Sequence, residues 1–203
     1  MSSVQRIVLA SGNAGKLREL AAMLEGTHLQ VSSLRDFQPI AEPEEPYDTF
    51  EGNARHKARY YHQMLGLDSA SAVLADDSGL CVDALGGAPG VYSAHYAGEP
   101  RSDERNNAYL LEQMAGFPRS EQRAAHFVCV LAIVGAGIDR TYRGEVHGHL
   151  ARALSGSRGF GYDVLFVPRG YSQTFGELQD SVKRQISHRS VALQAMLRDV
   201  AAW

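Results

Sequence analysis

With 203 residues, 44% hydrophobic and 21% charged, the chain has enough apolar material for one large domain or two small lobes sharing a core. A net charge of -3 and the lack of any basic run exclude a nucleic-acid polymer as the expected partner, and no apolar run approaches membrane-spanning length. Cys81 and Cys129 each sit inside an apolar run and read as buried free thiols rather than a disulfide or zinc site; residues 1–6 enter a strand-like run without a signal region, so a cytoplasmic protein is expected.

Residues 7–10 form a short apolar run, followed by Ser11-Gly12-Asn13-Ala14-Gly15-Lys16. Leu17, Leu20, Ala21 and Leu24 then recur at the spacing of an amphipathic helix. A strand, a glycine-containing loop and a helix N-terminus make an anion site, because free backbone N–H groups and the helix dipole both favour negative charge. Lys16 adds a full charge. An ordinary strand-to-helix turn is equally consistent. The loop is not a Walker A motif, since only two residues separate Gly12 from Gly15 and Leu17 follows Lys16.

In residues 38–48, Pro39, Pro43 and Pro46 forbid regular structure, while Glu42, Glu44, Glu45 and Asp48 crowd one loop. Such a loop is either simply solvated or swings a carboxylate over a metal. Thr49 is the expected N-cap of a helix through Phe50, Ala54, Lys57, Ala58, Tyr61 and Leu65.

The centre of the chain is residues 73–96. An apolar run ends in Asp76 and Asp77, followed by Ser78 and Gly79. Two carboxylates on a strand end with a flexible glycine behind them suit a hard divalent cation such as Mg2+. A solvated Asp-Asp-Ser-Gly turn is the plainer alternative.

Ser102, Asp103 and Glu104 open a helix reaching about Met114. Residues 124–134 are the most hydrophobic run and read as a buried central strand, with residues 141–149 as its partner. A glycine-rich loop carrying Phe160 and Tyr162 precedes a strand expected over residues 164–168. It offers a stacking face to a nucleobase, or a turn with its aromatics in the core. The last helix places Leu193, Met196, Leu197 and Val200 on one face, with Ser187 as N-cap. His188 and Arg189 then occupy its first turn, where cations are unfavourable, and with Lys183 they suggest a ligand such as phosphate or a base carbonyl.

Together these pieces resemble the inosine triphosphate pyrophosphatase family. The motifs are S-G-N-A-G-K (11–16), T-F-E-G-N-A-R-H-K-A (49–58), L-A-D-D-S-G-L (74–80), L-G-G-A-P-G-V-Y-S-A (85–94), G-F-G-Y-D (159–163) and S-H-R (187–189). They span nearly the whole chain. The resemblance implies one pyrophosphatase domain over residues 1–203, an elongated two-lobed α/β fold around a long twisted mixed β-sheet with flanking helices, and an active-site cleft between the lobes. It implies a homodimer and a Mg2+-dependent conversion of ITP, dITP or XTP to the monophosphate and pyrophosphate. By position, Ser11, Gly12, Asn13, Ala14, Gly15 and Lys16 hold the triphosphate. Asp77 is the general base and a metal ligand; Glu45, with Glu44 a close second, is the acidic-loop ligand. Ser78, Phe160, Gly161, Tyr162, Asp163, Lys183, His188 and Arg189 match substrate-contacting positions.

Two departures stand out: His95 where many members carry Arg, and Val164 in place of Pro after G-Y-D. Hypoxanthine and xanthine present a carbonyl at position 6 where adenine presents an amino group, so donors from His188 and Arg189 are expected to favour the former. An aspartyl-phosphate phosphatase needs Asp-x-Asp, which Asp76-Asp77-Ser78 does not supply. A purine-nucleotide-binding regulator without catalysis is the alternative from another class.

Overall fold

The computed structural model describes residues 4–200, with the backbone alone at Val200. The first three residues, and the side chain of Val200 on its expected helix face, lie outside the described residues. Among the described residues six strands, β1 (Arg6–Ala10), β2 (Gln30–Ser33), β3 (Ser71–Val82), β4 (Ala124–Gly135), β5 (Ile138–Leu150) and β6 (Phe166–Pro168), form one sheet in the order β2-β1-β3-β4-β5-β6. Five α-helices among the described residues accompany them: α1 (Ala14–Leu24), α2 (Phe50–Leu65), α3 (Asp103–Gln113), α4 (Asp180–Ile186) and α5 (His188–Val200). The sheet is mixed, as expected: β1 runs parallel to β2 and β3, while β5 runs antiparallel to β6.

The chain divides into two units. The first comprises residues 1–77, 129–144 and 189–203; the second, residues 78–128 and 145–188. Each has its own apolar core. In the first, Ile7 and Leu9 of β1 and Leu74 of β3 pack with Leu20 and Leu24 of α1 and Leu193 and Met196 of α5. In the second, Leu80, Leu110 and Met114 pack with Phe127, Phe166 and Phe175. No helix among the described residues is long and apolar enough to cross a membrane, and both cysteines are free.

Local chemistry accounts for several element boundaries. Thr49 caps α2 by accepting from Gly52 N, and Ser102 caps α3 by accepting from Arg105 N. β4 and β5 are joined by Ala136 and Gly137, both at positive φ (52° and 80°), the backbone of a two-residue hairpin turn. Residues 38–48 carry no helix or strand.

The structure corrects the expectation that the central strand ends at its carboxylates. β3 continues unbroken through Asp76, Asp77, Ser78 and Gly79 to Val82. What ends there is its parallel neighbour: the β1 ladder closes with Ala10 opposite Ala75. Asp76 and Asp77 therefore stand just past the end of a parallel pair, held by extended backbone on both sides. The strand expected over residues 164–168 is also shorter, because residues 161–164 form a 3-10 turn (Gly161–Val164) and β6 starts at Phe166.

Candidate active site

In the first unit the loop after β1 closes upon itself. Asn13 is the N-cap of α1, its Oδ1 accepting from Gly15 N at 2.8 Å and Lys16 N at 3.1 Å; Asn13 N donates to Ser11 Oγ at 3.1 Å. The N–H groups expected to stand free for an anion are thus engaged at positions 13, 15 and 16. Lys16 Nζ lies 2.7 Å from Asp76 Oδ1.

Successive strand residues face opposite sides of a sheet, so Asp76 and Asp77 have different surroundings. Asp76 is 1% exposed, with Arg189 Nε at 2.8 Å and the Cys129 thiol donating to Oδ2 at 3.3 Å. Burial alone would raise its carboxyl pKa, but the Arg189 and Lys16 charges outweigh it and hold the group well below the usual carboxylate range. Arg189, also 1% exposed, pairs in addition with Glu19. Burial disfavours its charge, and the anions Asp76 and Glu19 more than restore it. This differs from the open base contact expected of Arg189: the guanidinium serves a buried carboxylate.

Asp77 is 5% exposed, and among the described residues its Oδ2 has no hydrogen-bond partner. Burial pushes its pKa up to about 6; Lys16 and Lys57 oppose the rise, and Glu45 and Asp76 add to it. Lys57, on α2, pairs with Glu45. Burial would discharge it, but Glu45 chiefly, with Asp77 and Asp76, raises its pKa instead. The acidic loop is pinned at its end by Asn53, which accepts from Tyr47 N at 2.9 Å and donates to Tyr47 O at 3.0 Å. Lys16, Lys57, Glu45, Asp76, Asp77 and Arg189 thus form one electrostatic group. No set of three or more His, Cys, Asp or Glu among the described residues is placed to hold a metal by itself.

From sequence, Lys57 falls with Asn53, Arg55 and His56 on a polar helix side, exposed or turned to substrate; the structure instead buries Lys57 and Asn53. A signal was present: Phe50, Ala54, Ala58 and Tyr61 make the buried stripe of α2, and Lys57 and Asn53 fall within it. Charge placed in an apolar stripe calls for a partner.

In the second unit the glycine-rich loop is fastened by the residues the resemblance gives to substrate. Asp163 Oδ2 accepts from Phe160 N at 2.8 Å and also pairs with Lys183. Lys183 Nζ stands 5.0 Å from the Phe160 ring centroid and 5.7 Å from that of Phe175. Tyr162 faces inward and donates to Ser93 O at 2.9 Å; burial raises its phenol pKa. Phe160 remains half-buried. His188 is buried against Phe127, its ring stacked at 4.8 Å and 12°. Ser78 begins this unit, half-buried on β3.

Fold and site together define an α/β protein with a glycine-containing loop that caps a helix, a buried aspartate and a lysine-bound glutamate. A family model, the Ham1 family, matches residues 7–199. A dITP/XTP pyrophosphatase from Geobacter sulfurreducens is 47% identical over 199 residues, covering 98% of this chain and 97% of that one. The solved Ham1 protein of Staphylococcus aureus matches with a TM-score of 0.85 at 36% identity, covering 98% of this chain and 99% of that one. The HAM1 protein of Coxiella burnetii matches at 0.86 and 35%, covering 98% and 100%. The chain belongs to the Ham1 family, in agreement with the motif resemblance.

Proposed function

We infer that the protein hydrolyses non-standard purine nucleoside triphosphates (ITP, dITP and XTP) to the monophosphate and pyrophosphate. The name of its relatives, dITP/XTP pyrophosphatase, supports both the substrate class and the bond cleaved. An inactive nucleotide-binding regulator finds no support among them.

The observation that carries the chemistry is Asp77. A carboxylate with a pKa near 6 is ionised at neutral pH yet more basic than an ordinary aspartate, which suits a group taking a proton from an attacking water. Its unpartnered Oδ2 leaves an acceptor position for that proton. Lys57 and Glu45 fix the electrostatics around it. The triphosphate brings about four negative charges, and its oxygens would take over as acceptors from Asn13 Oδ1 and Asp76 Oδ1 on the loop N–H groups and Lys16 Nζ. Each exchange replaces one oxygen acceptor by another, so the gain lies in charge rather than in bond number.

Mg2+ is the cofactor of this reading; when bound it offsets phosphate charge and polarises the attacked phosphorus. The residues fit it. The donors are oxygens, Asp77 Oδ2 is unpartnered among the described residues, and Mg2+ usually takes one or two carboxylates beside waters and substrate phosphates. Asp77 and Glu45 are therefore the proposed ligands. In the second unit we give the base to Phe160 and His188, and we give Arg189 the task of holding Asp76. The homodimer and the cytoplasmic location come from the resemblance; light scattering at twice the 22.1 kDa chain mass checks the first.

The deciding experiment incubates the protein with Mg2+ and, separately, ITP, XTP, GTP and ATP, assaying pyrophosphate and orthophosphate in parallel. Pyrophosphate from ITP and XTP, with little from ATP or GTP, is expected. Orthophosphate, or binding without product, would overturn the reading.

A further inference from the structure

The loop that carries Phe160 is held from outside by one helix. Gly161 has φ +59°, a left-handed backbone that removes its peptide from any regular ladder. Both polar groups of the residue are nevertheless taken by α3. Gly161 N donates to Asp103 Oδ2 at 2.7 Å, and Gly161 O accepts from Asn107 Nδ2 at 2.9 Å. Asp103 and Asn107 are four residues apart and so share one helix face.

The plain account of Asp103 is a first-turn acid favouring the helix dipole. That account is incomplete here. Ser102 already caps α3, accepting from Arg105 N at 3.2 Å, and the Asp103 carboxylate reaches Gly161, 58 positions away in the chain. Asn107 is 3% exposed, and its amide also donates to Asp103 O at 2.8 Å. Chemistry sets the orientation of that amide, because a flipped side chain would face two carbonyl oxygens with its own oxygen. The helix itself is anchored: Leu110 belongs to the second core, and Asn106 accepts from Ala97 N at 2.8 Å and donates to Ala94 O at 3.0 Å.

We propose that Asp103 and Asn107 are positioning residues for the loop of residues 159–163: by gripping the Gly161 peptide from both sides they set the Phe160 ring for the purine. Neither touches the substrate. The proposal rests on the reading of this loop as the base contact given above, and it adds a determinant of base affinity that lies outside the loop. Asp163 and Lys183 fasten the loop from within, so loss of the external grip shifts the ring without unfolding it.

The test compares Asp103→Ala, Asp103→Asn and Asn107→Ala. Asp103 is exposed, so its variants are expected to fold. Two quantities are read: KM for ITP, and the inhibition constant of inorganic tripolyphosphate, which offers phosphates and no base. A third needs no activity: the hydrogen-exchange rate of the Gly161 amide in the nucleotide-free protein. Asp103→Ala should raise KM for ITP about tenfold, the effect of losing roughly one charge-assisted hydrogen bond. It should leave tripolyphosphate inhibition within about twofold and speed Gly161 exchange about tenfold or more. Asp103→Asn, which keeps an acceptor oxygen, should restore most of both losses. An unchanged KM, a tripolyphosphate constant rising in step with KM, or no difference between the Ala and Asn variants would overturn the proposal. Wild-type protein that makes no pyrophosphate from ITP would instead sink the functional reading, while an unaltered Gly161 exchange rate would still refute the grip.

Discussion

Lys16 Nζ rests 2.7 Å from Asp76 Oδ1, so the cation of the loop proposed to hold phosphate is already paired within the protein. The two partners are not equivalent. Asp76 is buried and also holds Arg189, whereas Lys16 is partly open to solvent. Asp76→Asn weakens the compensation of a buried guanidinium and is expected to cost about 3–5 kcal/mol of stability. Lys16→Gln leaves Asp76 with Arg189 and should cost only about 1–2 kcal/mol, while weakening nucleotide binding. Urea denaturation of the two variants in EDTA ranks them; the reverse order would mean that Arg189 does not depend on Asp76.

Asp77 invites a trade between activity and stability. Its folded pKa, about 6, lies above the ordinary value of 3.8, so the folded protein keeps this proton to higher pH than the unfolded chain. The resulting penalty is absent below about pH 4, grows between about pH 4 and 6, and is complete above, where it amounts to roughly 3 kcal/mol. Asp77→Asn removes it. The metal-free variant should therefore be more stable than wild type at pH 7 by about 1–3 kcal/mol, with the difference vanishing near pH 4. Turnover should fall by at least about a hundredfold while nucleotide still binds. Thermal melts in EDTA across this pH range check the first statement. A variant less stable at pH 7 would show that burial does not strain the carboxylate, and one that retains activity would show that it is not the base.

Elements whose ends are set by neighbouring residues were open to sequence reasoning. Thr49 and Ser102 announce α2 and α3 because a cap exchanges one side-chain oxygen for a nearby N–H, within three residues. The course of β3 was not open in this way. Asp76-Asp77-Ser78-Gly79 has turn composition, and only the packing around it imposes extended backbone. The site shows the same division. Motifs single out Lys16, Asp77 and Arg189, but no local pattern tells that Arg189 grips a carboxylate 113 positions away, or that Asp163 and Lys183, 20 apart, bind each other. Compensation of buried charge is a tertiary property, and the periodicity of a helix carries no record of it. The seven-residue α4 and the edge strand β2 are likewise too short for a period to register.

Gly159 has φ +76°, and a side chain there would press its Cβ into the Asp163 carboxylate. Asp163 is already committed to Phe160 N and Lys183, so it cannot retreat without releasing one of them. Gly159→Ala is therefore expected to raise KM for ITP about tenfold or more and to lower stability by about 1–3 kcal/mol. Kinetics on ITP together with a melting curve checks both. A variant with the wild-type KM would mean that the Asp163–Phe160 contact does not shape base binding.

Glu44 and Glu45 are adjacent carboxylates of one loop, and it is Glu45 that pairs with Lys57 and acts on Asp77. Removing divalent metal with EDTA should abolish turnover, and Mg2+ should restore it. Glu45→Gln should then raise the Mg2+ concentration needed for half-maximal activity about tenfold or more, because a carboxylate ligand is lost and Lys57 is left charged beside the site. Glu44→Gln, whose carboxylate lies exposed on the loop, should leave that concentration within about twofold of wild type. Metal titrations at saturating ITP separate the two variants. An effect confined to Glu44→Gln would move the ligand by one residue, and equal large effects would mean that the loop supplies charge to the metal without a single fixed ligand.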